Sequence, residues 1–392
     1  MHASPVCPNS RIIAFGALLA TVGCGGSSER AYVERLGNDT LAVEVFTRSE
    51  SGFEGQLLTR SPVTRVAKYV GTLSPEGTIS RLEVNWMTPE ENPEGPGPES
   101  WSITIEGDSA TIEREVDGES STTRIAAPEG VIPLVGKTPW SYAILEQAVM
   151  QATASGADSF PITTITGSRP RPSSNVIRRL DSETVSWSFF GSPMTARIDA
   201  QGKILALSGA QTTVKVEGEA VMDVDFGALA ADFAARDARG EGLGVASPPG
   251  QVEVTAGGAH FQIAYSQPAK RGREIWGGLV PHDEVWRTGA NAATMFTTDR
   301  DLTIGGTRVP AGSYTLWSIY TPETTRLIIN SQTGQWGTAY DESQDFARIV
   351  MHQEELDEAV ERFTIAIEPT DAGADLHLRW DRTQFSVPIT IR

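Results

Sequence analysis

Cationic, aromatic and acidic side chains crowd into one stretch of the chain, Tyr265 to Asn291, which holds Lys270, Arg271, Arg273, Trp276, His282, Asp283, Glu284, Trp286 and Arg287. Guanidinium forks match carboxylate or phosphate oxygens, and indole faces stack on a sugar or an aromatic ring. A candidate binding site is therefore placed on Lys270, Arg273, His282, Glu284, Trp286, Arg287 and Asn291. Its ligand would be a small molecule, a glycan or a lipid. The same residues also admit a structural use, in which Arg287 pairs with Glu284 to pin a long loop. Trp286 would then enter the core, and Asn291 would satisfy backbone groups in the turn. The spacing favours this structural use, because an ordered long loop needs such internal polar contacts.

Chemistry beyond binding finds little support. His282 beside Asp283 or Glu284 could act as an acid/base pair, and with Arg287 would suit a hydrolase acting on an envelope carbohydrate or ester. No nucleophile accompanies them. The chain has no Gly-x-Ser-x-Gly elbow, no Walker phosphate loop, no dinucleotide fingerprint and no His-Glu-x-x-His. His260, His352 and His377 lie in the same region as His282, but no spacing among them matches a metal-ligand set. His377 falls on the polar face of an alternating strand, the ordinary place for a solvated histidine. No metal or other cofactor is expected, and no catalytic residue is assigned.

The N-terminus carries an address. Arg11 precedes the apolar run Ile12–Val22, too short for a membrane span and suited to a signal-peptide core. It ends in Thr21-Val22-Gly23-Cys24, which is similar to a bacterial lipobox, with Thr21 where Leu is usual. The likeness implies a signal peptide over 1–23, lipidation at Cys24 and a tether over 24–29; an ordinary secretory signal with a chance cysteine is the alternative. The expected location is the cell envelope, lipid-anchored, with Gly25 after the cysteine compatible with the outer membrane. Cys7 and Cys24 are the two cysteines, so no disulfide can form in the folded part. The net charge of −18 argues against nucleic acid, which needs a basic footprint.

These residues must be positioned by β-structure. Thr40–Phe46, Arg81–Trp86, Trp101–Ile105 and Ala110–Val116 alternate apolar with polar, the mark of antiparallel sheet. A first helix is expected near 138–155, with Thr138 as cap, Pro139 at its first position and Gly156 at its end. A second is expected near 226–239, capped by Asp225. Residues 240–250 are a linker by composition. The expected architecture is mainly β: a curved antiparallel-sheet domain over 30–239, then an antiparallel β-sandwich over 251–392. Gly305-Gly306 marks a two-residue hairpin, and Pro388 should place the last strand at a sheet edge. Residues 354–361 could form one helical turn or two and are left open.

The dense stretch also resembles a family. Tyr265-Ser266-Gln267-Pro268, the Lys270–Arg273 run, Gly277-Gly278-Leu279-Val280-Pro281 and Trp286-Arg287-Thr288-Gly289-Ala290-Asn291 follow the pattern of the bacterial domain-of-unknown-function family 2911 (DUF2911). Pro310-Ala311-Gly312 leading to Leu316, and Gln335-Trp336-Gly337, continue the likeness to the C-terminus. Gln267, where Arg is common, and His282, where Tyr is frequent, depart from the pattern. The resemblance implies a β-sandwich in an exported protein and brings no activity.

Overall fold

The computed structural model describes residues 29–89, 97–128, 130–136, 141–189 and 191–391. The signal peptide and tether expected from sequence, with Cys24, fall on residues up to 28 outside the described residues, as do Thr138, Pro139 and Trp140. The chain is mainly β, in two antiparallel sheets.

The first sheet opens with β1 (Arg30–Leu36), β2 (Asp39–Ser49), β3 (Gly52–Thr59), β4 (Arg65–Leu73) and β5 (Ile79–Met87). It continues through β6 (Glu99–Glu106), β7 (Ser109–Val116), β8 (Glu119–Ala126) and β9 (Ile132–Leu134) to helix α1 (Tyr142–Ser155). There follow β10 (Ser159–Thr166), β11 (Arg169–Arg179), β12 (Thr184–Phe189), β13 (Ser192–Ile198), β14 (Ile204–Ser208), β15 (Glu217–Val221) and helix α2 (Phe226–Ala238). Each strand from β1 to β8 pairs with the next, as does each from β10 to β15, and β15 returns beside β1 to join the two runs. The far ends curl toward each other, with β8 beside β11 and β9 packed on β5. The sheet therefore wraps around α1.

Period-two alternation decides which side chains meet the helix. Tyr32, Leu36, Phe46, Leu57, Tyr69, Leu82 and Val84 pack with Tyr142, Ile144, Leu145 and Val149 inside the curve. Val33, Val43, Leu58, Val66 and Met87 point outward and are covered by Ala230 and Phe233 of α2. The N-terminus of α1 needs an acceptor, because its first amide groups have no partner within the helix. Glu44 of β2 supplies it. Its carboxylate accepts from Tyr142 N at 2.5 Å, Ala143 N at 3.3 Å and Ser141 Oγ at 2.7 Å, and from the Tyr69 hydroxyl. Glu146 one turn on accepts from Tyr32 Oη (2.8 Å) and Ile204 N (3.0 Å) and pairs with Arg30 at 3.1 Å. Buried carboxylates thus fix the helix inside the sheet.

The second sheet contains β16 (Pro249–Ala256), β17 (Ala259–Ser266), β18 (Val285–Trp286), β19 (Thr294–Thr298), β20 (Leu302–Ile304) and β21 (Thr307–Val309). It ends with β22 (Gly312–Ile319), β23 (Thr325–Asn330), β24 (Asp345–Thr370) and β25 (Gly373–Ile391). The strand order is β16-β17-β19-β22-β23-β24-β25-β20-β21, with β18 paired to β22. β24 pairs with β23 through its first part and with β25 beyond it, and register shifts near Val360 bend the pair. The two layers so formed enclose Phe261, Ile263, Phe296, Leu316, Phe363, Trp380 and Phe385.

Several expectations need correction here. Residues 354–361, open to one or two helical turns from sequence, are strand, within β24. Pro249 and Gly250, read as linker, pair with Ser266 and Tyr265 in β16. β25 is not an edge strand, since it lies between β24 and β20. Pro388 is tolerated because the β24 ladder stops at Ser386, and its carbonyl accepts from Gly305 N at 2.9 Å. His377 is buried rather than solvated: Glu368, 3.4 Å from its Nε2, and Arg379 close over it. Burial pushes its pKa down.

The two sheets touch through the β1–β2 turn. Asn38 N donates to Arg271 O at 2.9 Å, and Arg271 forms an ion pair with Asp39. Gly37 (φ +62°) and Gly272 (φ +70°) make the approach possible. A Cβ on the first would lie 2.2 Å from Arg271 O, and one on the second 2.0 Å from Asn38 Nδ2.

Candidate functional site

Trp286 is held in β18 opposite Ser318 of β22 and is buried. Its ring stacks on Trp380 at 5.8 Å and meets Trp276 and Phe363 edge-on. The chain then turns sharply: Thr288 (φ 49°) and Asn291 (φ 60°) adopt left-handed backbone. That conformation strains a β-branched residue, at a cost of about 1–3 kcal/mol. Bonds on both sides hold Thr288 there. Its carbonyl accepts from Thr294 Oγ1 at 2.7 Å, and its hydroxyl donates to Ser318 Oγ at 3.1 Å.

Arg287 sits at the start of this turn. Gly337 packs flush against it, since a Cβ there would lie 2.2 Å from Arg287 Cδ and 2.5 Å from Asn291 O. Gly337 N also donates to Asn291 O at 2.9 Å. The expected pair with Glu284 does not form. Glu284 is exposed, and Arg287 has no carboxylate within 4.0 Å among the described residues. Its one hydrogen bond runs to Asn291 O at 3.4 Å, near the limit of a useful bond. Burial pushes its pKa down, with no counter-charge to offset the loss of water.

The remaining candidate residues separate into two groups. Lys270 is half-buried in an ion pair with Asp381, so it is neither solvated nor part of the site. His282 lies against Tyr320, with ring centroids 5.2 Å apart, away from Arg287's turn. Asp283 N donates to Tyr320 O at 3.0 Å, which fixes the backbone beside His282 and leaves both side chains exposed. Arg273, Glu284, Trp286, Arg287 and Asn291, by contrast, converge on the wall of one cavity of about 770 Å³ between the two sheets. Its other wall belongs to the first sheet: Glu34, Leu36, Trp187, Met194 and Leu207, with Lys215 from the β14–β15 loop.

Burial perturbs two further cations and the buried acid there. Arg273 donates through Nε to Lys270 O (3.0 Å) and through Nη2 to Ala269 O (2.6 Å), and burial lowers its pKa, helped by the charge of Arg271. Lys215 donates to Ala210 O at 2.6 Å and is lowered by burial. Burial pushes the Glu34 carboxyl up to about 8, and the nearby charge of Glu44 adds to the rise. At neutral pH Glu34 is therefore mostly protonated and uncharged. Among the described residues no group of three or more His, Cys, Asp or Glu could hold a metal ion.

Sequence reasoning missed Glu34, Trp187 and Lys215. One signal was readable: Glu34 falls between Tyr32 and Leu36 on the inward face of an alternating strand, where an acid is out of place.

Residues 247–389 match the family model described as "Protein of unknown function (DUF2911)". The match covers nearly the whole second sheet and the turn that carries Arg287. Among solved structures, a DUF1089 family protein from Pseudomonas aeruginosa aligns at a TM-score of 0.31 and 14% identity, over 44% of this chain and 92% of its own. A beta-barrel-like protein of domain of unknown function DUF1849 from Brucella abortus aligns at 0.33 and 12% identity, over 49% of this chain and 95% of its own. No curated protein matches the chain.

Proposed function

We propose that this chain is a lipid-anchored binding module of the cell envelope, with Cys24 carrying the lipid and a small ligand occupying the cavity between the sheets. One observation carries the reading: the turn Trp286–Asn291, the longest unbroken stretch of the family resemblance, lines a cavity of about 770 Å³. That volume lies within the range usual for small-molecule sites, roughly 300–1,000 Å³. Arg287 supports it further, because a half-buried cation without a counter-charge costs stability and gains a partner when an anionic group enters. The hydrolase alternative has no such support, since neither His282 nor Asp283 lines the cavity.

The test is a thermal-shift screen on residues 29–392, with Thr213→Trp as the control. Thr213 is exposed and lines the cavity, so tryptophan there fills space without disturbing the core. A ligand at 100 times its Kd should stabilise the protein by about 2.7 kcal/mol. Hits that lose their effect in Thr213→Trp support the reading. Hits indifferent to that substitution, or no hit at all, overturn it. The anchor is tested separately: Cys24→Ala should move the exported protein to the soluble fraction, and continued detergent partitioning would remove the lipid from the proposal.

A further inference from the structure

The cavity's two walls differ in kind, and the difference defines a ligand class. On the first-sheet side Leu36, Leu145, Trp187, Met194 and Leu207 present an apolar surface, and all five are otherwise buried. On the side of the second sheet Arg287 and Arg273 reach the cavity, and Lys215 joins them from the β14–β15 loop. Three cations thus converge within a chain of net charge −18, whose outer field repels anions. Two carboxylates line the same space. Glu284 is exposed at its margin. Glu34 is buried in the first sheet's wall and mostly uncharged at neutral pH.

Each cation keeps donors in reserve. Arg287 commits one nitrogen to a single long bond. Arg273 uses Nε and Nη2 on backbone carbonyls and leaves Nη1 uncommitted. Lys215 commits one of its three protons. Such donors recognise a carboxylate or phosphate group. An inorganic anion alone would satisfy them while leaving most of a cavity of about 770 Å³ and its apolar wall unfilled. A neutral hydrocarbon would fill the wall and leave Arg287 without a counter-charge.

Resting on the cavity-binding reading above, we infer that the ligand is an amphipathic anion. Its carboxylate or phosphate head lies at Arg287, Arg273 and Lys215, and its hydrocarbon part lies along Leu36, Trp187 and Leu207.

The experiment measures binding to residues 29–392 by calorimetry at neutral pH, below each amphiphile's micelle concentration. The probes are dodecanoate, dodecyl phosphate, dodecanol, decanoate and inorganic phosphate. Dodecanoate or dodecyl phosphate should bind with one-to-one stoichiometry, and dodecanol at least tenfold more weakly, since a charge-assisted bond is lost. Decanoate, two methylenes shorter, should bind about tenfold more weakly than dodecanoate. Inorganic phosphate should show no saturable binding at comparable concentrations. Arg287→Gln should erase the preference for dodecanoate over dodecanol, and Arg287→Lys should restore part of it. Equal affinity for dodecanol and dodecanoate, an unchanged preference in Arg287→Gln, or binding of phosphate as tight as dodecyl phosphate would overturn the assigned class. So would a failure of every amphiphile to bind. The cavity itself is judged independently by the Thr213→Trp control, so either idea can fail alone.

Discussion

Arg287→Gln separates a cation kept for a ligand from one kept for the fold. In the structure its guanidinium holds one bond of 3.4 Å, to Asn291 O, and has no carboxylate within 4.0 Å among the described residues. Removing it strands no partner charge, and it relieves the desolvation that lowers its pKa. The loss of one weak bond and the relief of burial nearly offset, so the unfolding free energy should stay within about 0.5 kcal/mol of the parent. Arg271→Gln is the internal comparison. Arg271 is 6% exposed and paired with Asp39, whose side chain is 40% exposed. Breaking a fully buried pair costs about 3–5 kcal/mol, and the exposure of Asp39 reduces this to about 1–2 kcal/mol. Urea unfolding followed by tryptophan fluorescence reads both, through the midpoint at unchanged slope. If Arg287→Gln lost more than about 1.5 kcal/mol, the guanidinium would be structural, and the case for a ligand-facing charge would fail.

Three further outcomes follow from the same geometry. Glu34 titrates near 4.5 in the unfolded chain and near 8 when folded, so the folded state holds its proton more tightly. Its contribution to stability is fully present below pH 4.5 and is lost as pH rises toward 8; melting temperatures across that window should fall, and Glu34→Gln should flatten the fall. Gly337→Ala drives a methyl group against Arg287 Cδ and Asn291 O, so it should cost about 1–3 kcal/mol and weaken binding in the same calorimetric assay. An effect on stability without one on affinity would detach Gly337 from the site. Residues 247–391, whose main core draws only on that segment, should fold alone with β-type circular dichroism and a cooperative melt. A broad melt would show that contacts with the first sheet complete the core.

Much of the fold was legible because half-buried strands write their environment into the chain. Arg81–Trp86 alternates because Leu82, Val84 and Trp86 face α1 while the residues between them do not. The Gly305-Gly306 hairpin was legible because both residues take positive φ, which glycine adopts freely. Lateral order was harder. Pro388 signalled an edge, but it sits where one ladder ends and another strand covers the opposite side. His377 looked solvated because alternation cannot show that Glu368 and Arg379 fold over it. At the site, spacing suggested an Arg287–Glu284 pair, whereas the backbone reversal at Thr288 and the packing of Gly337 direct Arg287 elsewhere. The cavity was not legible at all, since Glu34, Lys215 and Arg287 are distant in sequence and meet only when the sheets approach. Lys215 left no local signal.

A crosslinking map tests most directly whether a ligand lies between the sheets. Residues 29–392 would be loaded with dodecanoate bearing a diazirine near its methyl end, irradiated, digested and read by mass spectrometry. Adducts should fall on the apolar wall of the first sheet, around Leu36, Trp187, Phe189 and Leu207, and disappear in Thr213→Trp. Adducts confined to the outer face of either sheet, or unchanged in Thr213→Trp, would contradict a ligand site between them.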